Sequence, residues 1–286
     1  MSKMITTPCL FEPWLQFEHP IVRHLAFSLA SPNILARIPD DLPVKNHFEL
    51  HPDQHWQTHY HHYETRLKQL DRFPQPLIDF LAQLKSTRLG LRFEHLLWFW
   101  LLEHDYHPYQ LLGHSIQKIA GARTLGELDF VLLNQETQQV EHWEVALKYY
   151  LGEGKLDLPL WFGLNRADTL QRKLRHFTER QFQFTEANGH QIQRKFAVMK
   201  GQLYLPSEHA TSDLPCWVNS SRRLGQWGTT IPHAPYYRLQ RHEWLCPDMQ
   251  ASSQPAHWWT NGLYYQQTQT PGFYMFRQPS LLFSLT

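Results

Sequence analysis

A chain of 286 residues with 42% hydrophobic content holds enough apolar material for a sizeable core, which excludes a disordered polymer. Its 27 basic and 26 acidic side chains leave a formal charge of +1, so any contact with nucleic acid has to rest on a local basic patch and not on a global field. Cys9, Cys216 and Cys246 are odd in number and widely spaced, which fits neither a disulfide framework nor a zinc knuckle and points to a reducing cytoplasm.

The first residues, Met1-Ser2-Lys3-Met4, lead into no apolar stretch of signal-sequence length before Glu12 and Pro13. The longest apolar run, 96–102, is too short to cross a bilayer. The expectation is a soluble cytoplasmic protein with no membrane partner. Residues 1–85 read as helices separated by proline-rich links, Pro13, Pro20, Pro32, Pro39, Pro43, Pro52, Pro74 and Pro76 among them. Pro76 opens a helix carrying Leu77, Ile78, Phe80, Leu81 and Leu84 at helical spacing. From 89 to 104 the apolar density implies a helix buried on most sides. Within it Glu94 is costly to bury unless it meets a cation or a metal.

After His107-Pro108 the pattern changes to short alternating runs, which predicts antiparallel strands over 109–119, 126–133 and 140–150. The connections 121–124 and 134–138 have hairpin length. A polar helix follows over 168–183 with Asn165 or Asp168 as its N-cap, and a fourth strand over 194–205. From Pro206 onward the chain is rich in Pro, Ser, Gln, His and Trp, the pattern of short strands and loops around aromatics.

Alternate side chains of a strand share a face. Trp143, Val145, Leu147 and Tyr149 form an apolar face of the third strand, and His142, Glu144, Ala146 and Lys148 form an ionisable one. On the neighbouring strand Glu127 and Asp129 lie opposite Leu128, Phe130 and Leu132. A hairpin register that sets Asp129 against Glu144 brings two carboxylates together, with a lysine further along. Such a pair repels and raises one pKa unless a divalent cation neutralises it. Oxygen ligands of this kind suit Mg²⁺ or Mn²⁺, which lower the pKa of a bound water and stabilise charge on a phosphodiester. The same alternation also describes an ordinary half-exposed strand with Glu144 and Lys148 in solvent, and spacing alone leaves both readings open.

Four stretches carry a resemblance: Leu91-Arg92-Phe93-Glu94, Gly126-Glu127-Leu128-Asp129-Phe130, His142-Trp143-Glu144-Val145-Ala146-Leu147-Lys148-Tyr149-Tyr150, and Gly163-Leu164-Asn165-Arg166-Ala167-Asp168. Together they resemble an uncharacterised bacterial family of unknown function within the PD-(D/E)XK nuclease superfamily. The resemblance implies an α/β fold with a restriction-endonuclease-like core of helix, three strands, helix and strand. It also implies that Asp129 and Glu144 are the metal-binding acids, Lys148 the lysine, and Glu94 the glutamate of the first helix. Two departures stand out. The superfamily lysine lies two residues after the acid, where this chain has Ala146, and Leu128 stands where the superfamily name has proline. At about 3.3 Å per residue Lys148 is roughly 13 Å along the strand from Glu144, on the same face.

The predicted helix after the third strand is the strongest local basic run, and it offers Lys173 and Gln181, with Arg166 before it, as phosphate contacts. A solvated helix face with cations near its C-terminus explains that run equally well. His47, His51, His55, His59, His61 and His62 include i,i+4 spacings suited to Zn²⁺ or Ni²⁺, although Pro52 interrupts them and a histidine-rich surface helix start is the plainer expectation. Trp217, Trp227, Trp244, Trp258 and Trp259, interleaved with Arg222, Arg223, Arg238 and Arg241, form either base-stacking platforms or the core of a loop-rich region.

The expected organisation is a helical region over 1–85, a nuclease-like core over 86–205 and an aromatic-rich extension over 206–286. The expected activity is metal-dependent hydrolysis of DNA or RNA with Mg²⁺ (or Mn²⁺). The alternative is an inactive module of the same fold that binds nucleic acid or a protein.

Overall fold

The computed structural model describes residues 10–208, 214–233, 235–248, 258–266 and 272–277; Cys9 lies outside them. Proline marks the helix starts of the N-terminal region, where a fixed φ and a missing N–H cost nothing. It occupies the first turn of α1 (Pro20–Ala30) and α3 (Gln75–Ala82), and Pro52 immediately precedes α2 (Asp53–Arg72). In α4 (Leu89–Leu102) the buried side chains include Phe93, Leu96, Leu97, Trp100 and Leu101, as its apolar density requires. It ends at Glu103, whose carboxylate is clamped by Arg66 at 2.7 Å and by the Tyr63 hydroxyl. Among the described residues no helix is long and apolar enough to cross a membrane.

Three long strands follow as an antiparallel meander: β1 (Tyr109–Ala120), β2 (Arg123–Asn134) and β3 (Gln139–Gly152). The short β4 (Trp161–Phe162) pairs with the end of β3. Then α5 (Leu170–Glu179) makes the crossover that lets β7 (Arg194–Pro206) lie parallel to β3. Between them β5 (Glu186–Ala187) and β6 (His190–Gln191) form a separate small hairpin. The order helix, three strands, helix, strand is therefore present, inside a larger mixed α/β sheet. Beyond β7 the same sheet continues through β8 (Gly225–Gly228), β11 (Gly272–Phe276), β10 (Gly262–Gln266) and β9 (Tyr237–Arg238). The described part of the aromatic-rich region thus extends one sheet. Its Trp244, Leu263 and Met275 share a core with Val22 of α1 and Trp100 of α4.

The sheet is covered on both faces. Trp143, Leu147, Phe196 and Val198 pack toward α1, α2 and α4, whereas Ala146, Tyr150, Ala197 and Met199 pack toward Leu170, Leu174 and Phe177 of α5. Strand alternation sorts β3 as expected, but its polar face is no solvent face: His142 and Glu144 are both 0% exposed. Across the β3–β7 pairing Lys148 stands opposite Gly201, where φ is +125° and a Cβ would lie 1.9 Å from the Lys148 carbonyl oxygen. Only glycine fits there.

Two expectations need correction. The helix expected over 168–183 spans Leu170–Glu179, and its N-cap is Thr169, not Asn165 or Asp168; the Thr169 hydroxyl accepts the Arg172 N–H at 3.1 Å. The chain leaves the helix at Arg180 and forms a 3-10 turn over Gln181–Gln183. The histidines near residue 50 are a surface feature only in part: His47, His61 and His62 are exposed, but the others turn inward. His51 and His59 are buried, and the rings of His51 and His55 stack at 3.8 Å beneath Trp143. The tryptophans in turn are mainly structural. Trp217 and Trp244 are buried and Trp227 donates to the Gly152 carbonyl at 2.8 Å, while Trp259 is exposed.

Candidate functional site

The ladder between β2 and β3 runs from Asn134↔Gln139 to Phe130↔Trp143 and stops one step before Asp129 would face Glu144. At that step the Asp129 side chain takes over the hydrogen bonding, its Oδ2 accepting the Val145 N–H at 2.8 Å. Asp129 is half-buried and Glu144 fully buried. Burial, then the neighbouring Glu144 charge, raises the Asp129 pKa well above the usual aspartate range, and Glu94 adds to the same effect. Burial likewise raises Glu144, opposed by the Lys173 charge and by hydrogen bonding with Asp129 and Gln181. The two carboxylates share one weakly solvated space and are electrostatically coupled, the situation in which one of them holds its proton unless a cation intervenes.

Both oxygens of Glu144 are engaged. Oε1 lies 2.7 Å from His142 Nε2, and Oε2 accepts from the Gln181 side-chain amide. Gln181 in turn accepts the Lys173 ammonium at 3.1 Å, and that ammonium lies 4.0 Å from the Phe177 ring centre. Burial lowers the Lys173 pKa against the pull of Glu144. The exit from α5 at Arg180 sets up this chain of contacts: had the helix continued, Gln181 would follow its surface instead of turning toward β3. Glu94 approaches from α4, 2.8 Å from His114 Nε2 and 3.3 Å from the Ser115 hydroxyl. The His114 ring stacks on Trp98 at 4.1 Å, which fixes this pair beside Asp129.

Of the residues singled out in the sequence, Asp129, Glu144, Lys173 and Gln181 come together, with Glu94 at the rim. Lys148 stands one step outside, its ammonium 2.8 Å from Asp168 Oδ2, with the Tyr150 hydroxyl 3.4 Å from the other oxygen of Asp168. Arg166 does not join the group; it forms a two-point ion pair with Glu153 at 2.6 and 3.0 Å and lies over the Phe162 ring. Sequence reasoning missed His142, His114 and Asp168 as partners. For His142 a signal existed, since it lies two residues from Glu144 on the same strand face.

Along α5 runs an open groove of about 620 Å³ whose lining includes Arg172, Lys173, Arg175, His176 and Arg180, with Asp168 at one end. Lys173 thus belongs both to the groove and to the carboxylate site. Among the described residues no three His, Cys, Asp or Glu side chains form a metal-holding group. Mg²⁺ does not require one, because it commonly takes one or two protein carboxylates and fills the remaining positions with water and substrate phosphate. Two raised-pKa carboxylates fit that donor chemistry, provided Gln181 releases Oε2 of Glu144.

No curated protein and no solved structure matches the chain. Residues 23–277, which include every member of this site, match one family model, and the chain belongs to that family, the domain of unknown function DUF1853.

Proposed function

We propose that this protein is a divalent-metal-dependent phosphodiesterase acting on nucleic acid, built on a core of the PD-(D/E)XK kind. The observation that carries the reading is the meeting of Asp129 and Glu144 at the end of the β2–β3 ladder, with Lys173 linked to Glu144 through Gln181 and opening onto a basic groove. The element order from α4 to β7, with β3 and β7 parallel, supports the fold assignment.

Mg²⁺ or Mn²⁺ held by Asp129 and Glu144 would supply charge neutralisation at a phosphate oxygen and a bound water of lowered pKa. The chain provides the rest. Arg172, Arg175 and Arg180 hold the phosphates on either side of the scissile one. Lys173, rather than Lys148, takes the role of the motif lysine, because the Lys148 ammonium is committed to Asp168. Hydrolysis joins a water oxygen to phosphorus and breaks one P–O ester bond. The water's proton passes to the neutral amine of Lys173, whose lowered pKa suits it to that task, and the leaving alkoxide takes a proton from solvent. Gln181 holds Lys173 in place beforehand.

A second reading has its own support. With both Glu144 oxygens hydrogen-bonded within the protein, the same fold serves as a module that binds nucleic acid without cutting it. Calorimetric titration with Mn²⁺ separates the two. A binding heat abolished in Asp129→Ala and Glu144→Ala, together with Mn²⁺-dependent nicking of plasmid DNA or cleavage of RNA lost in the same variants, is the expected result. Retained nucleic-acid affinity with no metal heat and no cleavage overturns the enzymatic reading in favour of the binding one.

A further inference from the structure

Beyond Phe130 β2 parts from β3 but remains paired to β1 as far as Ala120↔Arg123. The consequence is a two-stranded ribbon over 116–128 that leaves the sheet at Asp129, the first residue of the candidate site. Its base is held on one side by the Glu94 contacts to His114 and Ser115. On the other side Phe184 lies against Gly126 and Ala187 against Leu128. Further out the ribbon is bare: residues 119–125 are all exposed, with Ile119 at 61% and Leu125 at 47%. Between Ser115 and Gly126 the only charged side chains are Lys118 and Arg123. Ile119 and Leu125 are two of the seven large hydrophobics exposed among the described residues, and here they share one protruding ribbon with two cations.

We propose that this ribbon is a DNA-binding arm that enters the major groove of a B-form duplex whose backbone lies along the α5 groove. The inference rests on the nucleic-acid reading of the carboxylate site and adds the class of substrate. The B-DNA major groove, about 12 Å wide and 8.5 Å deep, admits a two-stranded β-ribbon. Four strand steps, from Ile116 to Ala120, span roughly 13 Å at 3.3 Å each, enough to bring the tip to base edges. Lys118 and Arg123 meet the phosphates of the groove walls, and Ile119 and Leu125 meet thymine methyl groups or other apolar base edges. An A-form RNA duplex, with its deep and narrow major groove, excludes the arm. The arm and the turn that carries Gln181 flank the same pair of carboxylates, so a duplex held by one presents its backbone to the other.

The test uses the full chain and the variants Lys118→Glu/Arg123→Glu and Ile119→Ser/Leu125→Ser, of whose sites Ile119, Arg123 and Leu125 are exposed and Lys118 is half-buried. Fluorescence anisotropy would be measured in Ca²⁺ buffer against a labelled DNA duplex and the RNA duplex of the same sequence, with an Mn²⁺ titration in parallel. The wild type is expected to prefer DNA by ~10-fold or more. The charge-reversal variant should lose ~10-fold or more in DNA affinity, and its log–log salt slope should fall by about 2, with Mn²⁺ binding unchanged. Wild-type affinity in both variants, or equal affinity for the two duplexes, overturns the arm while intact Mn²⁺ binding and cleavage leave the proposed function standing. Loss of Mn²⁺ binding and cleavage in the wild type with arm-dependent DNA binding retained overturns the enzymatic reading and keeps the arm. An arm-dependent dimer in sedimentation velocity, without DNA affinity, assigns the ribbon to self-association and overturns the inference.

Discussion

The Lys148 ammonium lies 2.8 Å from the Asp168 carboxylate and so turns away from Glu144, although both side chains leave β3 on the same face. That ion pair is partly exposed and is worth little by itself to stability. Its importance is positional: it removes the lysine nearest in sequence from the carboxylate site and leaves Lys173, from a different element, as the cation coupled to Glu144.

Lys173→Ala is therefore expected to lower metal-dependent cleavage by roughly 10²–10⁴, the range for loss of a positioned general base at a reacting centre. Lys148→Ala should cost about 10-fold or less, and Asp168→Asn should resemble it. Single-turnover cleavage across pH distinguishes direct from indirect action. In the wild type the rate rises with pH as the Lys173 amine loses its proton, and this rise disappears in Lys173→Ala but persists in Lys148→Ala. An equal loss in the two lysine variants, with identical pH profiles, contradicts the assignment.

Much of this architecture is legible in the residues. The alternation of β3, with Trp143, Leu147 and Tyr149 against Glu144, Ala146 and Lys148, announces both its strand character and its two faces. What it cannot announce is the second cover. Glu144 looks like the charge of a half-solvated strand until Leu170, Leu174 and Phe177 of α5 close that side of the sheet. Lys173 and Gln181 are visible as polar members of a basic helix, yet the contact of Gln181 with Glu144, and through it the link to Lys173, depends on the exit at Arg180, which no periodicity marks. The histidines mislead for a related reason: α2 is polar in composition, but its buried stripe includes Trp56, His59, Tyr60 and Tyr63, so polar rings line an interior face.

The carboxylate pair predicts an unusual pH dependence of stability. Asp129 and Glu144 both have folded pKa values raised above the ordinary range, chiefly by burial. The stability contributed by their neutral forms is complete below the ordinary carboxyl pKa and is lost as pH rises through the folded values. Without metal, the wild type should therefore lose stability from mildly acidic to mildly alkaline pH. Glu144→Gln and Asp129→Asn should each be more stable than the wild type at the alkaline end by roughly 1–3 kcal/mol. Denaturant unfolding across pH measures this, and saturating Mn²⁺ should abolish the difference by stabilising only the wild type. Variants less stable than the wild type at every pH exclude the uncompensated charge that the geometry implies.

The histidine stack acts in the opposite direction. His51 Nε2, His55 Nε2 and His59 Nδ1 are buried atoms without a hydrogen-bond partner, set among Trp56, Trp143, Phe196 and Tyr109, with the Lys200 ammonium 3.5 Å from the Trp56 ring centre. Burial lowers all three, His55 to about 2 and His59 to about 3, with neighbouring histidines adding to the effect in each and Lys200 in His51 and His55. These rings are neutral in the fold, so their contribution is complete above the ordinary histidine pKa and is lost as pH falls below it. Each unpaired titration is worth about 1.4 kcal/mol per pH unit, so the three together give a slope near 4. Steep acid unfolding below about pH 6 should follow, and His55→Leu should flatten the slope by about one third. An unchanged acid limb in that variant rules out His55 as one of the responsible groups.

Gly201 and Gly90 should respond to alanine with opposite signs. At Gly201 the backbone is at φ +125°, and an added Cβ would lie 1.9 Å from the Lys148 carbonyl oxygen and 2.8 Å from its carbon, all backbone atoms of the paired strand. No side-chain rotation relieves such a contact; β3 and β7 have to separate where they carry Lys148 toward Asp168. A cost above about 3 kcal/mol is expected, the sum of an unfavourable φ and a forced strand displacement. Gly90 is an exposed helical residue of α4, and an added Cβ there meets nothing within 4 Å. Gly90→Ala should therefore stabilise by a few tenths to about 1 kcal/mol, chiefly by restricting the unfolded chain. Thermal and denaturant unfolding of the two variants beside the wild type provides the comparison. Because Gly201 pairs with Lys148 and Gly90 does not touch the site, any residual folded Gly201→Ala should also show weakened cleavage in the range of Lys148→Ala, and Gly90→Ala should show none.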